Sequence, residues 1–196
     1  VYNAYRGNEG NANVEALNLV PTWGVPASDA LLTAEPGSSL PQLSYGRLSA
    51  ISATEVATYL KKVKETESAQ ANITPNRVDR EWMKNVVHII GASEGGLQGI
   101  LETYMAKYKK IIEDTLFGAN VYTFSKTSAD AVEQLNTVQI AKLFEEGMSM
   151  VTYFGHSSAT TLEFNLDKPE AYNNNGKYPL FFALGCNVGN FYNFSS

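Results

Sequence analysis

Cys186 is the only cysteine of the chain and His156 is one of only two histidines. Each ends an apolar, strand-like run and directly follows a glycine: Val151-Thr152-Tyr153-Phe154-Gly155-His156 and Pro179-Leu180-Phe181-Phe182-Ala183-Leu184-Gly185-Cys186. A free thiol, with a reference pKa of about 8.5, is mostly protonated at neutral pH, whereas the thiolate is the nucleophile. An imidazole in reach removes that proton or holds the thiolate as an ion pair, then protonates the leaving group. The pair is the minimum apparatus for thiol-based acyl transfer, provided the two side chains meet. Neighbouring parallel strands would deliver both to one sheet edge, the edge where open α/β sheets place their sites. A third strand-like run, Asn85 to Ile90, is followed by Gly91-Ala92-Ser93-Glu94-Gly95-Gly96. The Glu94 carboxylate is the candidate for orienting the imidazole and favouring its protonated form. Gly155 and Gly185 would let the backbone approach a substrate closely. N–H groups at the strand ends could form an oxyanion hole, worth about 3–4 kcal/mol per donor.

Plainer roles compete for the same residues. A lone cysteine in an apolar strand is most often a small core residue, a lone histidine at a strand end is more often structural, and a glutamate in a glycine-rich loop is most often an exposed acid. His88, inside Val86-Val87-His88-Ile89-Ile90, reads as a satisfied core histidine. Two histidines and one cysteine on separate strands make a poor zinc site, so no metal is expected. The glycines of Gly91 to Gly96 lack the Gly-Lys-Ser/Thr of a phosphate loop, and no cofactor is expected. Neither Ser157 nor Ser158 stands in a G-x-S-x-G elbow.

The elements that must position these residues are legible in outline. With 196 residues, 44% hydrophobic and 18% charged, the chain can bury an ordinary core as one large or two small domains. It contains no run of about 18 apolar residues that would span a membrane. A net charge of −5 without a basic block argues against nucleic acid as partner. One cysteine rules out an internal disulfide. Val1 is not a start residue and no signal peptide is visible, so the chain reads as part of a longer protein whose remainder is its expected partner.

Residues 1–40, rich in Asn, Gly, Pro and Ser, read as loops with short strands. Gln42 to Leu48 reads as a strand. Ser52-Ala53-Thr54-Glu55 is a capping-box signal ahead of Val56, Tyr59, Leu60 and Val63, whose spacing predicts an amphipathic helix over 52–67. Residues 68–80 read as a polar linker, which sets a boundary between 1–75, the end of a first subdomain, and 76–196, the subdomain with the site. Beyond it, strands are expected over 85–90, 120–124, 148–154 and 179–184. Helices are expected over 97–117, with Leu97, Ile100, Leu101, Tyr104, Tyr108, Ile111 and Ile112 on one side and Gly118 as terminator, and over 136–146, stopping at Gly147. Asn173-Asn174-Asn175-Gly176 reads as a turn. Alternating strands and helices imply right-handed crossovers, a mainly parallel sheet and an α/β fold.

Four stretches then resemble one family. Gly147 to Ser158 resembles the histidine motif of the gingipain family of cysteine peptidases, family C25. Lys177 to Phe191 resembles its nucleophile stretch, Ala92-Ser93-Glu94-Gly95-Gly96 its catalytic glutamate segment, and Tyr45-Gly46-Arg47-Leu48-Ser49 the segment closing its first subdomain. The order matches from about residue 40 onward. The resemblance implies a caspase-like three-layer fold, a mainly parallel sheet flanked by helices, incomplete here at both ends. It implies Cys186 as nucleophile, His156 as general base and acid, Glu94 as orienting carboxylate, and the N–H groups of Ser157 and Cys186 as oxyanion hole. It further implies polypeptide substrates and a secreted or surface location in a Gram-negative bacterium.

Two departures stand out. Ser157 occupies a position that is usually glycine; its N–H stays available, but its Cβ restricts φ and narrows the cleft. No acid stands near Tyr104 and Met105, where arginine-specific members carry an aspartate; Glu102 is the nearest. The pattern is more similar to the sortase-type branch in type IX secretion, which removes C-terminal sorting signals. Two other classes stay open: a caspase-like scaffold without catalysis, with Ser157 as a mark of decay, and a flavodoxin-like domain binding a ligand at Gly91–Gly96.

Overall fold

The structure is a computed structural model that describes residues 12, 29–48, 50, 52–92, 95–126, 137–158, 162, 164, 166, 172–186 and 188. Leu60–Gly189 forms one compact unit, and the residues before it belong to a second.

In the second, described residues 29–48 include a 3-10 turn at Ala30–Leu32 and an antiparallel bridge between Ala34 and Pro41. The strand expected over Gln42–Leu48 does not form; these residues are irregular and mostly exposed. Their anchor is electrostatic. Arg47 donates from Nε and Nη2 to the two carboxylate oxygens of Asp29, at 2.7 and 2.6 Å. That fork, a strong bidentate geometry, holds the Asp29 carboxyl below its ordinary pKa, and the hydrogen bond from Arg47 is the leading cause.

Helix α1 spans Ala53–Ala71. Ser52 caps it: its Oγ accepts the Glu55 N–H at 3.2 Å, as the capping-box pattern requires. The helix runs four residues past its expected end, because Glu67 to Ala71 carry nothing that stops a helix and Pro75 comes later. Its apolar residues Val56, Tyr59 and Leu60 are exposed.

The larger unit is built on a four-stranded sheet, β1 (Asn85–Gly91), β2 (Asn120–Ser125), β3 (Met150–Gly155) and β4 (Leu180–Leu184), in the order β2-β1-β3-β4. Every pairing is parallel. The central strand β1 is buried on both faces, which is why its sequence is a nearly continuous β-branched run rather than an alternation.

The pleat divides β1 between two helices. Val87 and Ile89 face a core completed by Ile140, Leu143 and Phe144 of helix α3 (Thr137–Glu146), with Val151, Tyr153 and Phe164. Ile90 points to the other face, against Leu101 and Met105 of helix α2 (Gly95–Ile112). Helices therefore cover opposite faces, and the fold is the expected three-layer α/β arrangement with a parallel sheet. Val87, Ile89, Val151 and Tyr153 are fully buried, which for each of the three aliphatic side chains is worth about 1.5–3 kcal/mol.

Helix α2 departs from its expected form. It ends at Ile112, five residues before the expected end, and turns lead to Gly118, whose N–H bonds the Asp114 carbonyl at 2.6 Å. The face it buries is carried by Leu101 and Met105, whereas Ile100, Tyr104, Tyr108 and Ile111 of the expected apolar side are exposed. Helix α3 ends as expected at Gly147, whose φ of +101° is a conformation glycine adopts at no steric cost. The Asn173–Gly176 turn is present, closed by Lys177 N–H to the Asn174 carbonyl at 2.9 Å.

His88 is a core residue, 2% exposed, and its Nδ1 has no hydrogen-bond partner among the described residues. Burial lowers its pKa from the ordinary 6.5, Lys109 lowers it further, and Glu113 opposes them. The unfolded chain therefore takes up a proton as pH falls through 6.5 while the folded chain does not. Stability present above that pH is lost progressively below it. Urea melts at pH 7.5 and 5.5 are expected to show a loss on acidification that shrinks in His88→Gln.

Candidate active site

The carboxyl ends of β1, β3 and β4 meet at one edge. The register aligns Gly91 with Gly155 and Phe154 with Leu184. His156 and Cys186 thus follow adjacent strand ends, as the sequence required. His156 is half-buried, and its backbone is held from both sides. Its N–H donates to the Gly91 carbonyl at 2.8 Å, and its own carbonyl accepts the Tyr153 hydroxyl. Cys186 is an exposed free thiol in the turn after β4.

Ser157 joins the two ends. Its Oγ donates to the Cys186 carbonyl at 2.7 Å, and its backbone forms an isolated antiparallel bridge with Leu162. The sequence presents Ser157 as a departure that narrows a cleft; the structure gives its hydroxyl a positive role, fastening the cysteine turn to the histidine turn.

The glycines at this edge have a second explanation besides access for a substrate. A Cβ on Gly155 would lie 2.5 Å from three backbone atoms of Gly91. One on Gly185 would collide with the Ser157 hydroxyl and stand 3.0 Å from the Gly155 carbonyl oxygen. One on Gly91 would overlap the Tyr153 ring. Real Cβ atoms do not tolerate such approaches, so all three positions are held to glycine by the packing of the strand ends themselves.

Glu94 lies outside the described residues; Ala92, the last described residue before it, is buried, and Gly95 opens α2. The acid nearest the place of the missing pocket aspartate, Glu102, accepts hydrogen bonds from Gln98 Nε2 and Ser125 Oγ, both at 3.1 Å. Met105 is buried against Ile90, Ala92 and Leu101. Lys126, just beyond β2, is buried at this edge and bonds the Ile90 carbonyl through its N–H at 2.8 Å. Tyr153 and Lys126 carry no signal that separates them from ordinary strand residues in sequence. Among the described residues no cluster of histidine, cysteine and acidic side chains could hold a metal ion, and no helix is long and apolar enough to cross a membrane.

The carboxyl edge of the parallel sheet is thus lined by glycines and carries an exposed thiol after β4 and a histidine after the neighbouring β3. The family model described as peptidase family C25 matches residues 4–196. The chain belongs to peptidase family C25, a family of cysteine-type peptidases. Among solved structures it is similar to the crystal structure of the Arg-specific cysteine proteinase gingipain R, at 18% identity and a TM-score of 0.59. The match covers 88% of this chain and 39% of the gingipain chain, so the chain spans well under half of that protein's length. No curated protein matches the chain.

Two substitutions separate the roles of this edge. Ser157→Ala should cost about 1 kcal/mol, the loss of one hydrogen bond at a half-buried site. Gly185→Ala should cost about 1–3 kcal/mol through overpacking. If Gly185→Ala melts like the parent chain in urea, the close approach of β4 to Ser157 is not the constraint described.

Proposed function

We propose that this protein is a cysteine endopeptidase of secreted or surface polypeptides, with Cys186 as nucleophile, His156 as general base and acid, and Glu94 as orienting carboxylate. The observation that carries this reading is the placement of an exposed Cys186 and of His156 at adjacent parallel strand ends, tied together by Ser157 Oγ. In the first half-reaction the Cys186 sulfur attacks the scissile carbonyl carbon after its proton passes to the imidazole. The C–N bond breaks, the amine leaves with the proton from His156, and an acyl-thioester remains. In the second, His156 takes a proton from water, hydroxide displaces the thiolate, and the carboxylic acid is released. The N–H groups of Ser157 and Cys186 are the proposed donors to the oxyanion in both steps. The backbone bonds on either side of His156 favour this chemistry because a base must be held in place before proton transfer contributes.

Membership of family C25 supports the reaction class. The resemblance of the histidine and cysteine stretches to the gingipain family supports a place outside the cytoplasm of a Gram-negative bacterium. The absence of a described acid beside Met105 favours the branch that trims C-terminal sorting signals in type IX secretion over cleavage after arginine.

Iodoacetamide should label Cys186 in the folded protein faster than an unperturbed thiol does. In the full-length protein, Cys186→Ala and His156→Ala should each lower kcat/KM on a peptide substrate by at least about a thousandfold. An unreactive thiol, or Cys186→Ala with unchanged activity, would leave the chain as a scaffold without catalysis.

A further inference from the structure

The opposite edge of the sheet carries a site that the proposed peptidase chemistry does not use. A cavity of about 510 Å³ opens where β1 and β2 begin, within the volume range of small-ligand sites. Three cations line it, Arg77, Arg80 and Lys84, against one carboxylate, Glu81. This is an unusual local balance in a chain of net charge −5. Arg80 is half-buried and lines the cavity, and its guanidinium brings paired donors to that wall. Lys84 is partly engaged: its ammonium donates to the Phe117 carbonyl and stands 4.2 Å from the Phe117 ring centroid. It therefore contributes charge at the wall. The other walls are apolar. Phe117 and Ile73 both line the cavity and remain exposed, with Met83 beside them.

We propose that this cavity binds a carboxylate carried on an apolar stem, with the Arg80 guanidinium as the fork for the carboxylate. Arg77 and Lys84 are the flanking charges, and Phe117, Ile73 and Met83 form the surface for the stem. Arginine presents paired donors that match a carboxylate, and the surrounding apolar surface distinguishes such a ligand from a bare ion. Strand β1 has seven residues, which separates this edge from Cys186 by about 20 Å. Occupancy is therefore independent of the thiol, and the assignment does not rest on the peptidase reading.

The test is titration of the full chain with sodium hexanoate, inorganic phosphate and hexan-1-ol, followed by amide shifts at Gly118 and Asn120. Hexanoate should saturate, with phosphate and hexanol each at least about tenfold weaker, since each lacks one half of the recognition. Arg80→Met should weaken hexanoate by about tenfold or more. Arg77→Gln, a change at an exposed residue that leaves the melting temperature in place, should weaken it by a smaller factor. Equal binding of phosphate and hexanoate overturns the stem. Failure of hexanoate to bind, or unchanged binding in both arginine variants, overturns the site.

Discussion

The contact between the ends of β1 and β3 is the constraint on which the carboxyl edge depends. Gly155 lies so close to Gly91 that neither strand has room for a side chain between them. Tyr153 uses the space this opens: its ring packs where a Cβ of Gly91 would stand, and its hydroxyl reaches the His156 carbonyl. The Gly91 carbonyl meanwhile accepts the His156 N–H. The imidazole is thus presented by a backbone fixed at both its donor and its acceptor, independently of what the side chain touches. β4 takes its register from β3, and the Ser157 hydroxyl carries that order one step further into the cysteine turn.

Much of this was legible because buried parallel strands have a distinctive composition. β1 reads as a β-branched run bounded by glycine, and so it is; β2, β3 and β4 fall within two residues of their expected limits. The Ser52 cap and the Gly147 stop were likewise written in local chemistry that acts over a few residues. What failed was whatever depends on a distant partner. Gln42 to Leu48 pairs with no strand among the described residues, and the Arg47–Asp29 fork anchors it as an irregular segment. Helix α2 has more apolar positions than one face can bury. Its periodicity marks the helix without saying that Leu101 and Met105, rather than Tyr104 and Tyr108, meet the sheet.

The site was legible in part for the same reason. Glycine before histidine and glycine before cysteine are visible signals, but their cause was ambiguous between access for a substrate and crowding within the protein. The crowding is now evident, and it does not compete with access. His88 shows the limit of reading a core residue by burial alone: its strand position follows from sequence, whereas the lack of a partner for Nδ1 among the described residues does not. The two edges of the sheet emerge with different chemistry: a thiol and an imidazole where the strands end, and arginines where they begin.

The Ser157 to Gly185 contact also constrains how this chain can change by descent. The hydroxyl of one residue occupies the room that a side chain of the other would need. A Cβ at 185 would stand 2.2 Å from the Ser157 hydroxyl, 2.9 Å from the Ser157 Cβ and 3.0 Å from the Gly155 carbonyl oxygen, so removing the hydroxyl alone does not make room for it. Substitutions at 157 and 185 are therefore expected to be energetically coupled, although 28 positions separate them in the chain (185 − 157).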